Sequence, residues 1–224
     1  MIVCCPCKND LESLNLMVKS LLSSTSSFDK LIILDGGSTD GTIEFGRFLM
    51  KTNNKVIFLE AKLKSPLKAY NLLFNIAKDS EQDVLMTQTD VIFPKCLTRD
   101  WLKEMQLFAQ NDLMGAIIPF NGGGISGEDY IEGFQWLGGW CTYFPLRTLQ
   151  LIGGYDESFP NGMGVDIDHS YQIYKKGLKV GIINYWVDHH QTNAREHDRD
   201  PDTEKHKKDS SLYFKKKWSL NVVD

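Results

Sequence analysis

No run of about 18 apolar residues, the length that a membrane-crossing helix needs, occurs anywhere in the 224 residues. Charge of one sign is missing as well. The 25 Lys and Arg are interspersed with 29 Asp and Glu for a net charge of −4, which leaves nothing at the level of the whole chain to attract nucleic acid or a bilayer. An odd count of five cysteines, three of them crowded into Cys4-Cys5-Pro6-Cys7, argues against a disulfide framework. Cys4 and Cys7 have the spacing of half a zinc knuckle, but Cys96 and Cys141 stand alone and supply no second pair. These thiols read as buried residues of a first strand. The apolar run that starts at Ile2 leaves no room for a signal peptide, so a cytoplasmic setting is expected. Two cofactor signatures are also absent. Asp35-Gly36-Gly37-Ser38 lacks the Gly-x-Gly-x-x-Gly spacing of dinucleotide sites, and no Walker-type Gly-Lys-Ser/Thr is present.

What is there is the patterning of a soluble globular chain, 42% hydrophobic and 24% charged, long enough for one large domain. Met1 to Cys7 predicts a strand. Asp10 to Leu22 follows with Leu11, Leu14, Val18, Leu21 and Leu22 on one face at helical spacing. Leu31 to Leu34 predicts a second strand, Thr42 to Met50 a helix, Val56 to Leu59 a third strand and Leu67 to Ala77 an amphipathic helix. Strands alternating with helices define a βαβ arrangement, hence an α/β fold on a mostly parallel sheet flanked by helices.

The stretch Val84 to Pro94 holds the most informative break in pattern. Its apolar run ends in Thr87-Gln88-Thr89-Asp90, one carboxylate among small polar residues. Ligands of open α/β sheets sit beyond the carboxyl ends of strands, where a single carboxylate can share a divalent ion with substrate phosphates. Capping the following turn is the structural alternative for Asp90. Asp35, also at a strand end, can accept hydrogen bonds from a base N–H edge or a ribose hydroxyl. In a loop with few packing contacts, it is expected to matter little for the fold.

Asp35 to Thr42, taken with Pro6-Cys7-Lys8-Asn9, Ala69-Tyr70-Asn71 and the Asp90 strand, resembles the nucleotide-sugar half of the GT-A glycosyltransferases, family 2 in particular. That family closes its first strand in a Pro-x-x-Asn pattern and its second in Asp-x-x-Ser-x-Asp-Gly-Thr. The resemblance implies a single GT-A (Rossmann-like) domain. Residues 1–95 would bind the nucleotide sugar, 96–190 the acceptor, and 191–224 would form a mobile loop and a C-terminal helix. Donor contacts would come from Pro6, Asn9, Asp35, Ser38, Lys68, Gln88, Thr89 and Asp90. The family's metal motif, Asp-x-Asp, falls on Gln88-Thr89-Asp90, so Asp90 would hold the ion while the Gln88 amide takes the place of the first carboxylate.

The second half changes character, with Gly122-Gly123-Gly124, an aromatic run from Phe134 to Phe144 and Gly153-Gly154-Tyr155-Asp156-Glu157 in place of alternating strands and helices. Trp136, Trp140, Tyr143 and Tyr155 can stack on sugar rings or fill a core. The turn at Gly153 to Glu157, followed by Gly164-Val165-Asp166, is similar to the family's Gly-Gly-Phe-Asp-Glu turn and acidic pair, with Val165 in place of the Glu. On that resemblance Asp166 is the general base, and Trp136, Trp140 and Asp166 face the acceptor. By spacing alone the preferred place for Asp166 is the N-terminus of the helix expected over His169 to Lys176. Gly181 to Val187 predicts a last strand that delivers Asp188-His189-His190. Adjacent imidazoles point to opposite sides of an extended chain, so only one of His189 and His190 would reach a metal. Gln191 to Asp209 reads as a loop and Ser210 to Trp218 as a helix with a solvated lysine edge.

The resemblance thus implies a metal-dependent, inverting glycosyltransferase that uses Mn²⁺ or Mg²⁺ and a UDP- or GDP-sugar, with a glycan or other hydroxyl compound as acceptor. Gln88 and Val165 motivate a second reading, a catalytically inactive nucleotide-sugar or glycan-binding protein of the same fold. A sugar nucleotidyltransferase would want a basic, Gly-rich loop after the first strand, where Lys8 is the only cation.

Overall fold

The computed structural model describes residues 1–96, 98–120, 125–127, 131–189 and 201–220. Strand β1 (Ile2–Cys7) leads through helix α1 (Leu11–Ser24) to β2 (Lys30–Asp35), α2 (Thr42–Thr52) and β3 (Val56–Glu60). Helix α3 (Pro66–Asp79) then precedes β4 (Val84–Thr87) and the two-residue β5 (Val91–Ile92). β1 pairs parallel with β2 in register Ile2 with Lys30 through Cys7 with Asp35, and with β4 on its other side from Ile2 to Cys4. Pro6 lies past the last residue paired to β4, so its missing N–H breaks no ladder on that side.

Beyond β4 the chain keeps building the sheet, against the expectation that regular structure gives way there. Helix α4 (Trp101–Phe108), β6 (Met114–Phe120), the hairpin of β7 (Ile125–Gly127) and β8 (Gln135–Leu137), β9 (Cys141–Phe144) and α5 (Leu146–Ile152) all fall in this region. They are followed by α6 (Val165–Lys175), β10 (Lys179–Trp186), β11 (Asp188–His189) and α7 (Thr203–Lys217). The main sheet has seven strands in the order β10-β6-β9-β4-β1-β2-β3, parallel except for β9, which runs antiparallel to both its neighbours. All six parallel strands therefore end on one edge, where β5 and β11 form a separate antiparallel ribbon.

Alternation along β1 divides the interior in two. Val3, Cys5 and Cys7 pack with Leu14, Met17, Val18 and Leu21 of α1 and with Trp101, Leu102 and Met105 of α4. Ile2 and Cys4 face the opposite layer, with Leu73, Phe74 and Ala77 of α3, Leu149 of α5 and Ile173 of α6. A third cluster of Ile131, Phe134, Phe159, Tyr171 and Phe214 lies where α7 docks.

Two of the four aromatics offered as sugar platforms belong to the core. Tyr143 is fully buried in β9, with its hydroxyl on Asp83. Tyr155 is buried edge-on against Phe74, with ring centroids 5.2 Å apart. Their rings point inward because sheet and helix packing claim them. The loop expected over 191–209 is also shorter than its charge suggested, since α7 begins at Thr203. His190 and residues 191–200 lie outside the described residues, as do Gly122, Gly123 and Gly124. Among the described residues no helix is long and apolar enough to cross a membrane.

Candidate active site

The ends of β1 and β2 are laced together by the residues that carried the family pattern. Asp35 is 1% exposed. Its Oδ1 accepts from the N–H of Gly37 (2.8 Å) and Ser38 (2.9 Å), and its Oδ2 accepts from the Ser38 hydroxyl. Ser38 Oγ in turn accepts from Asn9 N–H at 2.8 Å, and Asn9 Oδ1 accepts from Thr39 N–H at 2.7 Å. Asn9 has φ 50°, a left-handed conformation that asparagine tolerates better than most side chains. Asp40 completes the lacing by accepting from Thr42 N–H and hydroxyl and from Leu11 N–H, the first residue of α1. The view of Asp35 as a loop carboxylate with few contacts is corrected: it organises the loop from within.

A second pin joins α3 to the turn before α6. Asn71 donates to Tyr155 C=O (2.9 Å) and accepts from Tyr155 N–H (2.8 Å), while also donating to Glu157. A Cβ at Gly154 would stand 2.3 Å from Asn71 Oδ1, so the second glycine of that turn is required by the contact. Lys68 stands exposed on the first turn of α3, and none of these hydrogen bonds involves it.

The third group sits at the end of β4. Gln88 N–H donates to Trp140 C=O at 3.0 Å and its side-chain amide donates to the Tyr70 hydroxyl at 3.2 Å. The Thr89 hydroxyl donates to Asp10 Oδ2 at 2.5 Å. Asp90 Oδ2 lies 3.3 Å from His189 Nε2, brought there because β11 pairs with β5 with His189 opposite Val91. Trp140 stacks on the His189 ring, with centroids 5.4 Å apart and planes at 22°, which fixes the imidazole's orientation. Asp90 Oδ1 is buried and has no hydrogen-bond partner among the described residues.

A buried carboxylate oxygen without a donor, beside an imidazole, is a donor set that suits a divalent cation. Asp90 and His189 would hold it. No three His, Cys, Asp or Glu side chains among the described residues converge to enclose an ion unaided. Oxygen ligands from outside this pair would complete the shell, as is usual for Mg²⁺-type ions.

Asp166 is the second residue of α6, and the residue preceding the helix is Gly164, so it is not the capping residue. Its Oδ1 accepts from Ile167 N–H at 3.0 Å, and burial pushes its carboxyl above the usual aspartate value. Gly139 makes room for it: a Cβ there would lie 3.3 Å from Asp166 Cβ and 3.6 Å from the Tyr155 hydroxyl. The Tyr70 phenol is raised chiefly by burial; its ring meets that of Tyr155 edge-on, with centroids 5.5 Å apart, and the charges of Asp90 and Asp166 raise it further. Trp140 belongs to this group, whereas Trp136 packs against the third apolar cluster under α7. Sequence reasoning missed Tyr70 and Asp10. Tyr70 sat unread in the middle of Ala69-Tyr70-Asn71, and Asp10 was counted only as the start of α1.

An α/β domain with a mostly parallel sheet, one antiparallel strand within it and carboxylates gathered at the strand ends defines the GT-A class. The sequence model of the family described as Glycosyl transferase family 2 matches residues 2–123. The chain belongs to that family. The succinoglycan biosynthesis protein ExoA of Rhizobium meliloti (strain 1021) is 24% identical over 203 residues, covering 80% of this chain. The chain spans 59% of the length of that relative. Among solved structures, a mannosyltransferase from Pyrobaculum calidifontis in complex with GDP-Man and Mn²⁺ superposes with a TM-score of 0.64 at 18% identity, over 82% of this chain and 54% of its own. GalNAc-T7 with UDP, GalNAc and Mn²⁺ gives 0.64 at 13% identity, over 83% and 44%. TarS of S. aureus with UDP gives 0.59 at 17% identity, over 82% and 58%. At these identities the three structures speak for the fold.

Proposed function

We propose that this protein is a metal-dependent, inverting glycosyltransferase that moves a sugar from a UDP- or GDP-sugar to a hydroxyl of a glycan or other acceptor. The observation that carries the reading is the Asp90–His189 junction, with its buried, unpartnered carboxylate oxygen at the edge where the parallel strands end. When bound there, Mn²⁺ or Mg²⁺ would neutralise the departing diphosphate. Asp90 and His189 would hold the cation, with the imidazole stacked on Trp140. The loop of Pro6, Asn9, Asp35 and Ser38 shapes the nucleotide side, with Gln88 and Thr89 between it and the cation. Asp166 takes the proton from the attacking hydroxyl. Its raised affinity for protons suits a base, because a carboxylate of ordinary acidity accepts a proton poorly near neutrality. A single base facing one acceptor suits direct displacement with inversion. The GDP-Man, UDP and Mn²⁺ named for the solved structures support the donor class, and five free thiols support a reducing, cytoplasmic setting.

The test is hydrolysis and transfer assayed across a panel of UDP- and GDP-sugars with Mn²⁺, Mg²⁺ or chelator. Turnover that requires the cation and disappears in Asp90→Asn is expected. Tight donor binding with no turnover on any acceptor would leave a non-catalytic nucleotide-sugar-binding protein instead.

A further inference from the structure

Asp10 occupies the position immediately before α1, where an aspartate ordinarily accepts from the first free N–H groups of the helix. It does not do so here: no side-chain cap bond forms, and the N–H of Leu11 goes to Asp40 instead. The Asp10 carboxylate turns to the end of β4, where Oδ2 accepts from Thr89. Oδ1 is buried and has no hydrogen-bond partner among the described residues, like Oδ1 of Asp90, the residue after Thr89. Both charges reach the Cys5 thiol, which burial and its neighbours push far up. Two buried carboxylate oxygens lacking donors, one on the residue bonded to Thr89 and one on the residue after it, are costly unless something positive or hydrogen-bonding meets them. Meanwhile Gln88, at the position where the family carries its first carboxylate, is neutral and tied to Tyr70.

We propose that Asp10 is the second carboxylate of the cation site, standing in from the β1–α1 junction for the one absent at position 88. It is a positioning residue. Oδ2 holds the Thr89 hydroxyl next to Asp90, and Oδ1 would accept a hydrogen bond from water on the cation. An outer-sphere place agrees with the absence, among the described residues, of three side chains converging on an ion, since such cations keep several waters. The inference rests on the donor-site reading above.

The experiment uses the full chain and reads Mn²⁺ affinity in the presence of UDP or GDP by calorimetry, alongside melting temperature with and without Mn²⁺. Asp10→Asn keeps an oxygen to accept from Thr89 and removes only the charge. The expected result has two parts of opposite sign. Without metal the variant melts higher, because a charge is removed from a buried carboxylate oxygen that no donor meets. With metal it loses most of the Mn²⁺-induced rise, and its Mn²⁺ affinity falls about 10-fold or more, the usual consequence of losing an outer-shell partner. Adding Gln88→Asp to Asp10→Asn is expected to restore Mn²⁺ affinity. If Asp10→Asn instead melts lower without metal and binds Mn²⁺ as the parent does, Asp10 merely braces Thr89 and the proposal is overturned. Failure of the parent itself to respond to Mn²⁺ would overturn the donor-site reading and this inference with it.

Discussion

Asn71 holds Tyr155 by both of its backbone polar groups, accepting from the N–H at 2.8 Å and donating to the carbonyl at 2.9 Å. One side chain on α3 thereby stands in for a strand partner and sets the turn from which α6, and with it Asp166, departs. Asn71→Ala is expected to cost roughly 2 kcal/mol, as two backbone groups lose their partner in a half-buried place. Denaturant unfolding reads that loss. Asn71→Asp, which can accept but not donate, should fall between the two, and stability unchanged by either substitution would remove the pin.

Asp35→Ala should unfold at lower denaturant by about 2–3 kcal/mol, since three donors in a buried loop lose a charged acceptor. Asp35→Asn retains one good acceptor and should cost less. Calorimetry with UDP and GDP on the Asn variant separates a contact with the nucleotide from the loop's own needs. Full affinity in a stable Asn variant would make Asp35 purely architectural.

Asp166 gives a prediction in which activity and stability move in opposite directions. Asp166→Asn should lower transfer by about 10²- to 10⁴-fold while donor binding is retained. The folded-state pKa is raised above the ordinary 3.8 by burial. The folded state therefore binds this proton more tightly than the unfolded chain does. The resulting stabilisation is full below the unfolded pKa and is lost as pH rises through the folded one. At neutral pH the charged carboxylate is a burden, so Asp166→Asn should melt higher than the parent there, and the difference should close in acid. Melting curves from acid to neutral pH check the sign. A parent and variant that differ equally at every pH would show that the carboxylate is not strained by burial.

Lys217 bridges Asp156 (2.9 Å) and the buried Asp168 (2.8 Å), and Trp218 donates to the other oxygen of Asp168 at 2.7 Å. Removing the cation leaves Asp168 charged and buried. Lys217→Met should cost on the order of 2 kcal/mol, less than the full figure for a buried pair because the Lys217 side chain is 25% exposed. Protease sensitivity confined to α7, at unchanged donor affinity, is the expected signature. Loss of donor binding in parallel would place α7 in the site as well.

The first half of the fold was legible because β1, β2, β3 and the helices between them obey one period at a time. Val84 to Thr87 reads as a strand for the same reason. β9 was not legible: Cys141 to Phe144 is four buried residues with no alternation, and the surrounding glycines and aromatics suggest a loop. Its strand character comes from lying between β4 and β6, a long-range fact. Within the site, Asp90 and His189 were read from their place at strand ends and lie side by side, whereas Trp140, read as a platform for the acceptor from its aromatic, glycine-rich surroundings, stacks on His189. Asp10 was not, because an aspartate before a helix has an ordinary local use, and only the fold shows that the use is declined. The residues that carried the family pattern most clearly, Asn9, Asp35, Ser38, Asp40 and Asn71, make hydrogen bonds that hold loops in place.

The ribbon of β5 and β11 sets an order of events during synthesis. Domains emerge from the ribosome N-terminus first, so the β1-to-β4 half, with Asp90 at its end, can compact long before position 189 is made. Until β10 has paired with β6 and carried β11 across, Asp90 has no imidazole beside it. On the proposed cation site, a nascent chain stalled before β10 should therefore bind Mn²⁺ more weakly than the finished chain even if its first layer is formed, with full affinity arriving only as the last strands are threaded into place.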